Sequence, residues 1–241
     1  MKSDLGTTTV GEIVARDLRN AAVFARHGID FCCGGGQRLA DACRAKHIDT
    51  DAIVAELDRV TADGGPPIDS TSWTADALVD LIVKEHHTYV RREVPAIESM
   101  LEKIVSKHGA TRPELAEIAQ AFDTLADELY SHMDKEERVL FPYIASLARQ
   151  EDHKSTSPFF GTLRNPIRMM KHEHVEAAAL LETIKRLTNR FTLPAEACAT
   201  WKASYAALEA FDRDLREHVH LENNVLFRAA ARLEDARLST T

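Results

Sequence analysis

The chain has 241 residues, 44% apolar and 28% charged, the balance of a globular protein with room for one large domain and one small one. Thirty Lys and Arg against 38 Asp and Glu give a net charge of −8, which argues against nucleic acid or an anionic membrane as a general partner. No run approaches the ~20 consecutive apolar residues of a membrane span, and no signal-peptide pattern opens the chain, so a cytoplasmic location is expected. The four cysteines (Cys32, Cys33, Cys43 and Cys198) show neither zinc-ribbon spacing nor a disulfide framework. Eleven histidines are many for this length.

The first sixty residues carry short helical patterns over Val10 to Asp17, Ala21 to His27, Gln37 to Lys46 and Asp51 to Thr61. Breakers and small polar residues then concentrate between Asp63 and Ser72, including Gly64-Gly-Pro-Pro67. Residues 1–64 therefore read as a small helical domain and 65–72 as a linker to a larger domain over 73–241. A unit of about sixty residues has a marginal core, so it is expected to lean on the larger domain or on a partner subunit, which makes a homodimer one expected assembly.

Four long helical patterns follow the linker. Thr74 is placed to cap the first, with Trp73 and Leu78 as a hydrophobic staple, and that pattern runs to about Lys107. Thr111-Arg-Pro-Glu114 has the form of a capping box opening the second, which continues to about Arg149. The third runs from Asn165-Pro166 to Arg190 and the fourth from Pro194 to Asp235. Pro95 and Pro142 fall inside the first two and should kink them. Four such helices joined by modest loops predict an all-α protein, an antiparallel four-helix bundle behind a small helical domain.

Steps of three and four along the second helix give Ile118, Phe122, Leu125, Leu129, His132, Glu136, Leu140 and Tyr143. The fourth gives Trp201, Leu208, Phe211, Leu215, His218, Glu222, Leu226 and Ala229. On both stripes a His-x-x-x-Glu pair stands where a core leucine belongs. Residues four apart share a helix face, about 6 Å apart along the axis. Two ionised carboxylates in a core cost many kcal/mol unless cations or strong donors compensate, so the pairs call for metal. On the first helix the stripe Val79, Val83, His87, Val90, Val94 passes through His87, which leaves His86 a boundary position. On the third, Ile167, Met170, His174, Ala178, Leu181 passes through His174. His172 and His220 fall on faces read as solvated.

The resulting set is His87, His132, Glu136, His174, His218 and Glu222. Structural zinc takes four ligands, usually with thiolates, and calcium or magnesium prefers oxygen alone. Four imidazoles and two carboxylates suit two iron or manganese ions, each held by two histidines and bridged by both carboxylates. An oxo or hydroxo bridge would complete the charge balance. Glu128 and Asp214, one turn before His132 and His218, and Glu173, next to His174, are candidates to hydrogen-bond the ligands or pass metal outward.

The segments His86-His-Thr-Tyr-Val-Arg-Arg-Glu-Val-Pro95, Ser131-His-Met-Asp-Lys-Glu-Glu-Arg-Val-Leu-Phe-Pro142, Lys171-His-Glu-His174 and His218-Val-His-Leu-Glu-Asn-Asn-Val-Leu-Phe227 resemble the hemerythrin-like repair-of-iron-centres family. Gly28-Ile-Asp-Phe-Cys-Cys-Gly-Gly-Gly36 is similar to the small cysteine-pair domain that precedes the bundle in that family. The resemblance implies a cytoplasmic protein with two non-haem iron ions in an oxo- and carboxylate-bridged centre. It implies repair of iron–sulfur clusters damaged by nitrosative or oxidative stress, by iron donation to damaged or apo iron–sulfur proteins, with nitric oxide as a small-molecule ligand. It also implies the same six iron ligands, and the spacing to Pro95 then selects His87 over His86. A nitric oxide reductase and a reversible oxygen- or nitric oxide-binding sensor are the alternative readings.

Cys32 and Cys33 precede a glycine run where a helix is expected to begin. A thiolate at a helix N-terminus is stabilised, so the pair is a candidate for redox, nitric oxide or iron handling.

Overall fold

The computed structural model describes residues 5–63, 65–150 and 161–239. Helices α1 (Val10–Arg16), α2 (Ala21–Arg26), α3 (Leu39–Ala45) and α4 (Thr50–Asp63) come first, with 3₁₀ turns at Leu18–Asn20 and Ser70–Ser72. Then follow α5 (Ala75–Leu81), α6 (Thr88–His108), α7 (Glu114–Lys135), α8 (Phe141–Ala148), α9 (Arg164–Leu187), α10 (Ala199–His220) and α11 (Phe227–Leu238). Among the described residues there is no strand, only an isolated bridge between Thr9 and Arg38, and no helix is long and apolar enough to cross a membrane. Contacts gather into two compact units. One holds Met1–Val79, Ile144–Thr156 and Arg216–Thr241, and the other Asp80–Tyr143 and Ser157–Leu215.

In the first unit α1 opens with a capping box, Thr9 Oγ1 accepting from Glu12 N while Glu12 accepts from Thr9 N. Its apolar face, Val10, Ile13 and Val14, is buried, as are Phe24, Leu39 and Ile53 from α2, α3 and α4. The segment after α4 is tied down: Leu18 N donates to Ile68 O, and Ser70 is fully buried with its hydroxyl on Ala15 O at 2.9 Å. Residues 216–241 belong to this unit, so it recruits the end of the fourth long helix rather than standing on its first sixty residues.

In the second unit α6, α7, α9 and α10 form the antiparallel bundle. Tyr89 faces Phe211 at 6.2 Å and His108 faces Trp201 at 5.2 Å, so α6 and α10 run in opposite directions. Phe122 of α7 meets Phe211 edge-on, and Lys185 of α9 reaches Asp212 of α10. The capping box expected at Thr111 is absent. Helix α7 starts at Glu114 behind Pro113 with no side-chain cap, and Thr111 Oγ1 donates to His108 O in the preceding turn.

Among the described residues three π-helical segments interrupt the long helices: Ile82–His87 between α5 and α6, Glu136–Leu140 between α7 and α8, and Leu221–Leu226 between α10 and α11. A π turn closes five residues on instead of four, so it shifts the inward-facing set by one residue. Val83, Tyr143 and Ala229, expected on core stripes, are accordingly only half-buried. Ile82, Ile144 and Ala230 take the core positions instead. Helix α9 has no such insertion, and Ile167, Met170, His174 and Leu181 are buried as its period predicts, although Ala178 is half-buried and Ala177 is the buried alanine there.

Candidate metal centre

Each π segment contains or borders the polar residues singled out above. Ile82–His87 ends on His87, Glu136–Leu140 begins on Glu136, and Leu221–Leu226 contains Glu222. His87, His132, Glu136, His174, His218 and Glu222 are all buried, with Glu136 and Glu222 wholly excluded from solvent.

Two of the imidazoles, His87 and His132, are oriented from outside. His87 Nδ1 donates to Glu137 Oε1 at 2.7 Å, and Arg91 donates to the same oxygen. His132 Nδ1 donates to Glu173 Oε2 at 2.8 Å, while Lys135 donates to Glu173 Oε1. Burial pushes the Glu173 carboxyl up, but the His132 and Lys135 hydrogen bonds outweigh it and hold it at about 2. With Nδ1 carrying the proton, Nε2 presents a lone pair.

Those lone pairs face others. Glu136 Oε2 lies 3.4 Å from His87 Nε2 and Oε1 lies 3.3 Å from His132 Nε2, while neither carboxylate oxygen has a hydrogen-bond partner. His132 Nε2 and His174 Nε2 stand 3.1 Å apart, and His218 Nε2 is 3.0 Å from Glu222 Oε1. A buried carboxylate against imidazole lone pairs is repulsive without a cation between them. Two groups of donors each have their atoms within 4.8 Å of one another: His87, Glu136, His218 and Glu222, and His132, Glu136, His174 and Glu222. Each has two imidazoles, and both share the same two carboxylates. This nitrogen-and-oxygen set fits metal ions such as iron, and the carboxylate–histidine contacts on the outer side are those that fix ligating imidazoles.

The three histidines neighbouring the ligands in sequence divide. His172 is exposed beside Glu176. His86 is buried, with Nδ1 donating to Asp214 Oδ1 at 3.1 Å. Asp214 therefore serves His86, and Glu128 sits on the exposed face of α7. The solvated reading of His220 is wrong: it is fully buried, with Nδ1 donating to Phe31 O at 3.2 Å. That reading assumed one buried face, whereas residues 218–227 are buried on every side. Burial depresses the His220 pKa to about 4. Sequence reasoning also missed Glu137. The signal was its adjacency to Glu136, the relation that had selected Glu173 beside His174.

Cys32 and Cys33 lie in a turn, and α3 begins only at Leu39, so a helix N-terminus does not act on them. Asp30 organises the turn instead. Its Oδ1 accepts from Cys32 N and Cys33 N at 3.0 Å and from Cys32 Sγ at 3.2 Å, and Oδ2 accepts from Gly34 N. No disulfide joins the pair. The interaction between the two sulfurs is the largest influence on each, raising Cys32 and lowering Cys33, so Cys33 is the more readily ionised sulfur.

Residues 81–230 match the Hemerythrin HHE cation binding domain, and residues 6–61 match a Domain of Unknown function (DUF542). A protein of Musicola paradisiaca (strain Ech703) described as iron-sulfur cluster repair protein YtfE is 37% identical over 94% of this chain and 97% of its own length. Proteins of the same description from Enterobacter sp. (strain 638) and Citrobacter koseri are 37% identical over 90% of this chain and 94% of theirs. With both halves matched in order and the buried donors of the HHE half gathered, the chain belongs to the hemerythrin HHE family, in its iron-sulfur cluster repair branch.

Proposed function

We propose that this chain repairs iron–sulfur clusters damaged by nitrosative or oxidative stress, with an oxo- and carboxylate-bridged pair of iron ions as its working centre. His87 and His218 would hold one ion and His132 and His174 the other, with Glu136 and Glu222 available to both. The observation that carries the reading is the pair of four-donor groups sharing two buried carboxylates. The similarity to proteins described as iron-sulfur cluster repair proteins supports the repair function. The bound centre supplies a store of iron and sites at which nitric oxide binds, and the recipients are damaged or apo iron–sulfur proteins in the cytoplasm.

The chain's own groups make iron delivery chemically reasonable. Six protein donors leave coordination positions for small ligands, and the outer carboxylates Glu137 and Glu173 reach toward solvent, where a departing cation would next be stabilised.

The test is anaerobic mixing of the iron-loaded protein with an apo iron–sulfur enzyme. Recovery of enzyme activity, with matching loss of iron from this chain, is expected. Retention of iron together with reversible ligand binding would favour a sensor, and catalytic consumption of nitric oxide a reductase.

A further inference from the structure

Apart from the buried His and Glu groups, the described residues hold a third cluster of close donors: Asp30, Cys32 and Cys33, with their atoms within 4.8 Å of one another. It shares no residue with the centre above and differs in chemistry and exposure. Its donors are two sulfurs and a carboxylate. Asp30 is exposed, Cys33 half-buried and Cys32 buried, so the cluster opens to solvent on one side.

The turn is held ready. Asn224 donates to Phe31 O and Cys32 O, and His220 donates to Phe31 O. Gly11 N donates to Gly35 O at 2.8 Å, and a Cβ on Gly35 would fall 2.6 Å from both Asn224 Oδ1 and Phe31 O. The three N–H groups on Asp30 fix its carboxylate beside the thiols. Oδ2 takes one of these N–H bonds and keeps acceptor capacity, because a carboxylate oxygen has two lone pairs. The Cys32 thiol already donates to Asp30 Oδ1, and the Cys33 thiol beside it ionises more easily than an ordinary one.

We infer that Asp30, Cys32 and Cys33 form a second metal site, which takes one thiophilic divalent cation through two thiolates and one carboxylate. Binding forms two sulfur–metal bonds and breaks the S–H bonds of the pair, with the released protons going to solvent and no change of oxidation state. Thiolates select zinc, ferrous iron or cobalt over magnesium and calcium. Three protein donors leave a fourth tetrahedral position open, as in sites that exchange a ligand rather than closed structural ones. The site is thus suited to holding a cation in transit.

Cobalt(II) is the probe, because thiolate ligation gives it a near-ultraviolet charge-transfer absorption that His and Glu ligation does not. Anaerobic titration of the full-length protein is expected to develop that band once cobalt exceeds the capacity of the His/Glu groups. Exchange of both Cys32 and Cys33 to Ser should abolish it, and Asp30→Asn should weaken binding by about tenfold. The Cys43→Ser/Cys198→Ser protein should keep it. A wild-type protein that shows no thiolate band at saturating cobalt overturns the inference, whatever the variants do. So does a band that survives the Cys32/Cys33 exchange or disappears with Cys43 and Cys198.

Discussion

Glu136 shows how the centre declares itself at the level of single residues. A wholly buried carboxylate whose oxygens face imidazole nitrogens at 3.3 and 3.4 Å makes sense only around a cation. That oddity was legible in the sequence, because a charged residue on an otherwise apolar stripe needs no coordinates to be noticed. The outer partners were less so: Glu173 was reached by adjacency, Glu137 was not, and His220 was lost because its buried face is a second one. His87→Leu and His174→Leu are expected to strip iron measured by metal analysis, whereas exposed His172→Leu keeps it. Glu137→Gln removes the acceptor that orients His87 and should weaken iron binding by about 10–100-fold with unchanged helicity by circular dichroism. His220 makes a pH prediction. Its pKa falls from 6.5 to about 4 on folding, so the unfolded chain binds the extra proton and stability is lost as pH drops from about 6.5 toward 4. The full effect is roughly 3 kcal/mol at about 1.4 kcal/mol per unit. In metal-free protein, the difference in melting temperature between pH 7.5 and pH 4.5 should shrink in His220→Gln; an unchanged difference would remove His220 from the acid limb.

At the scale of the element, the three π segments explain both what periodicity captured and where it slipped. Upstream of each insertion on α7 and α10 the apolar stripe ran true, from Ile118 to His132 and from Trp201 to His218. Downstream it was off by one, because an added residue leaves composition and capping signals unchanged while rotating all that follows. The same insertions lie at Glu136, Glu222 and His87. Deleting exposed Arg138 from the middle segment tests what the extra residue does. A continuous α-helix through the deletion would still place Phe141 and Ile144 inward, at steps of four and three from Glu136. The shortened protein should therefore remain helical and cooperative in thermal unfolding yet bind metal poorly. Full iron content in that variant would mean the π turn is incidental to the centre.

For the molecule as a whole, the all-helical class and the bundle were legible because four long amphipathic patterns admit few other arrangements. What lay beyond the sequence was the company kept by the first sixty residues. Patterning shows that a segment has an apolar face without showing what covers it, and here α1 packs on residues 221–226. Removing residues 5–69 should therefore expose Asn224 and His220 and lower the melting temperature by ~10 °C or more, well above the 2–4 °C per kcal/mol of a single lost contact in a chain this long. A truncated protein that melts with the full chain would show that the covering contributes nothing.

The hydrogen bond between His220 and Phe31 joins residues 189 apart in the chain, and Asn224 reaches back 193 to the same carbonyl. On the ribosome these partners are born far apart in time. At roughly 5–20 residues per second the cysteine-bearing turn waits on the order of ten to forty seconds for the helix that seats it. Through that interval its thiols are displayed on an unfinished surface, open to oxidants and to any thiophilic cation before the cradle beneath them exists.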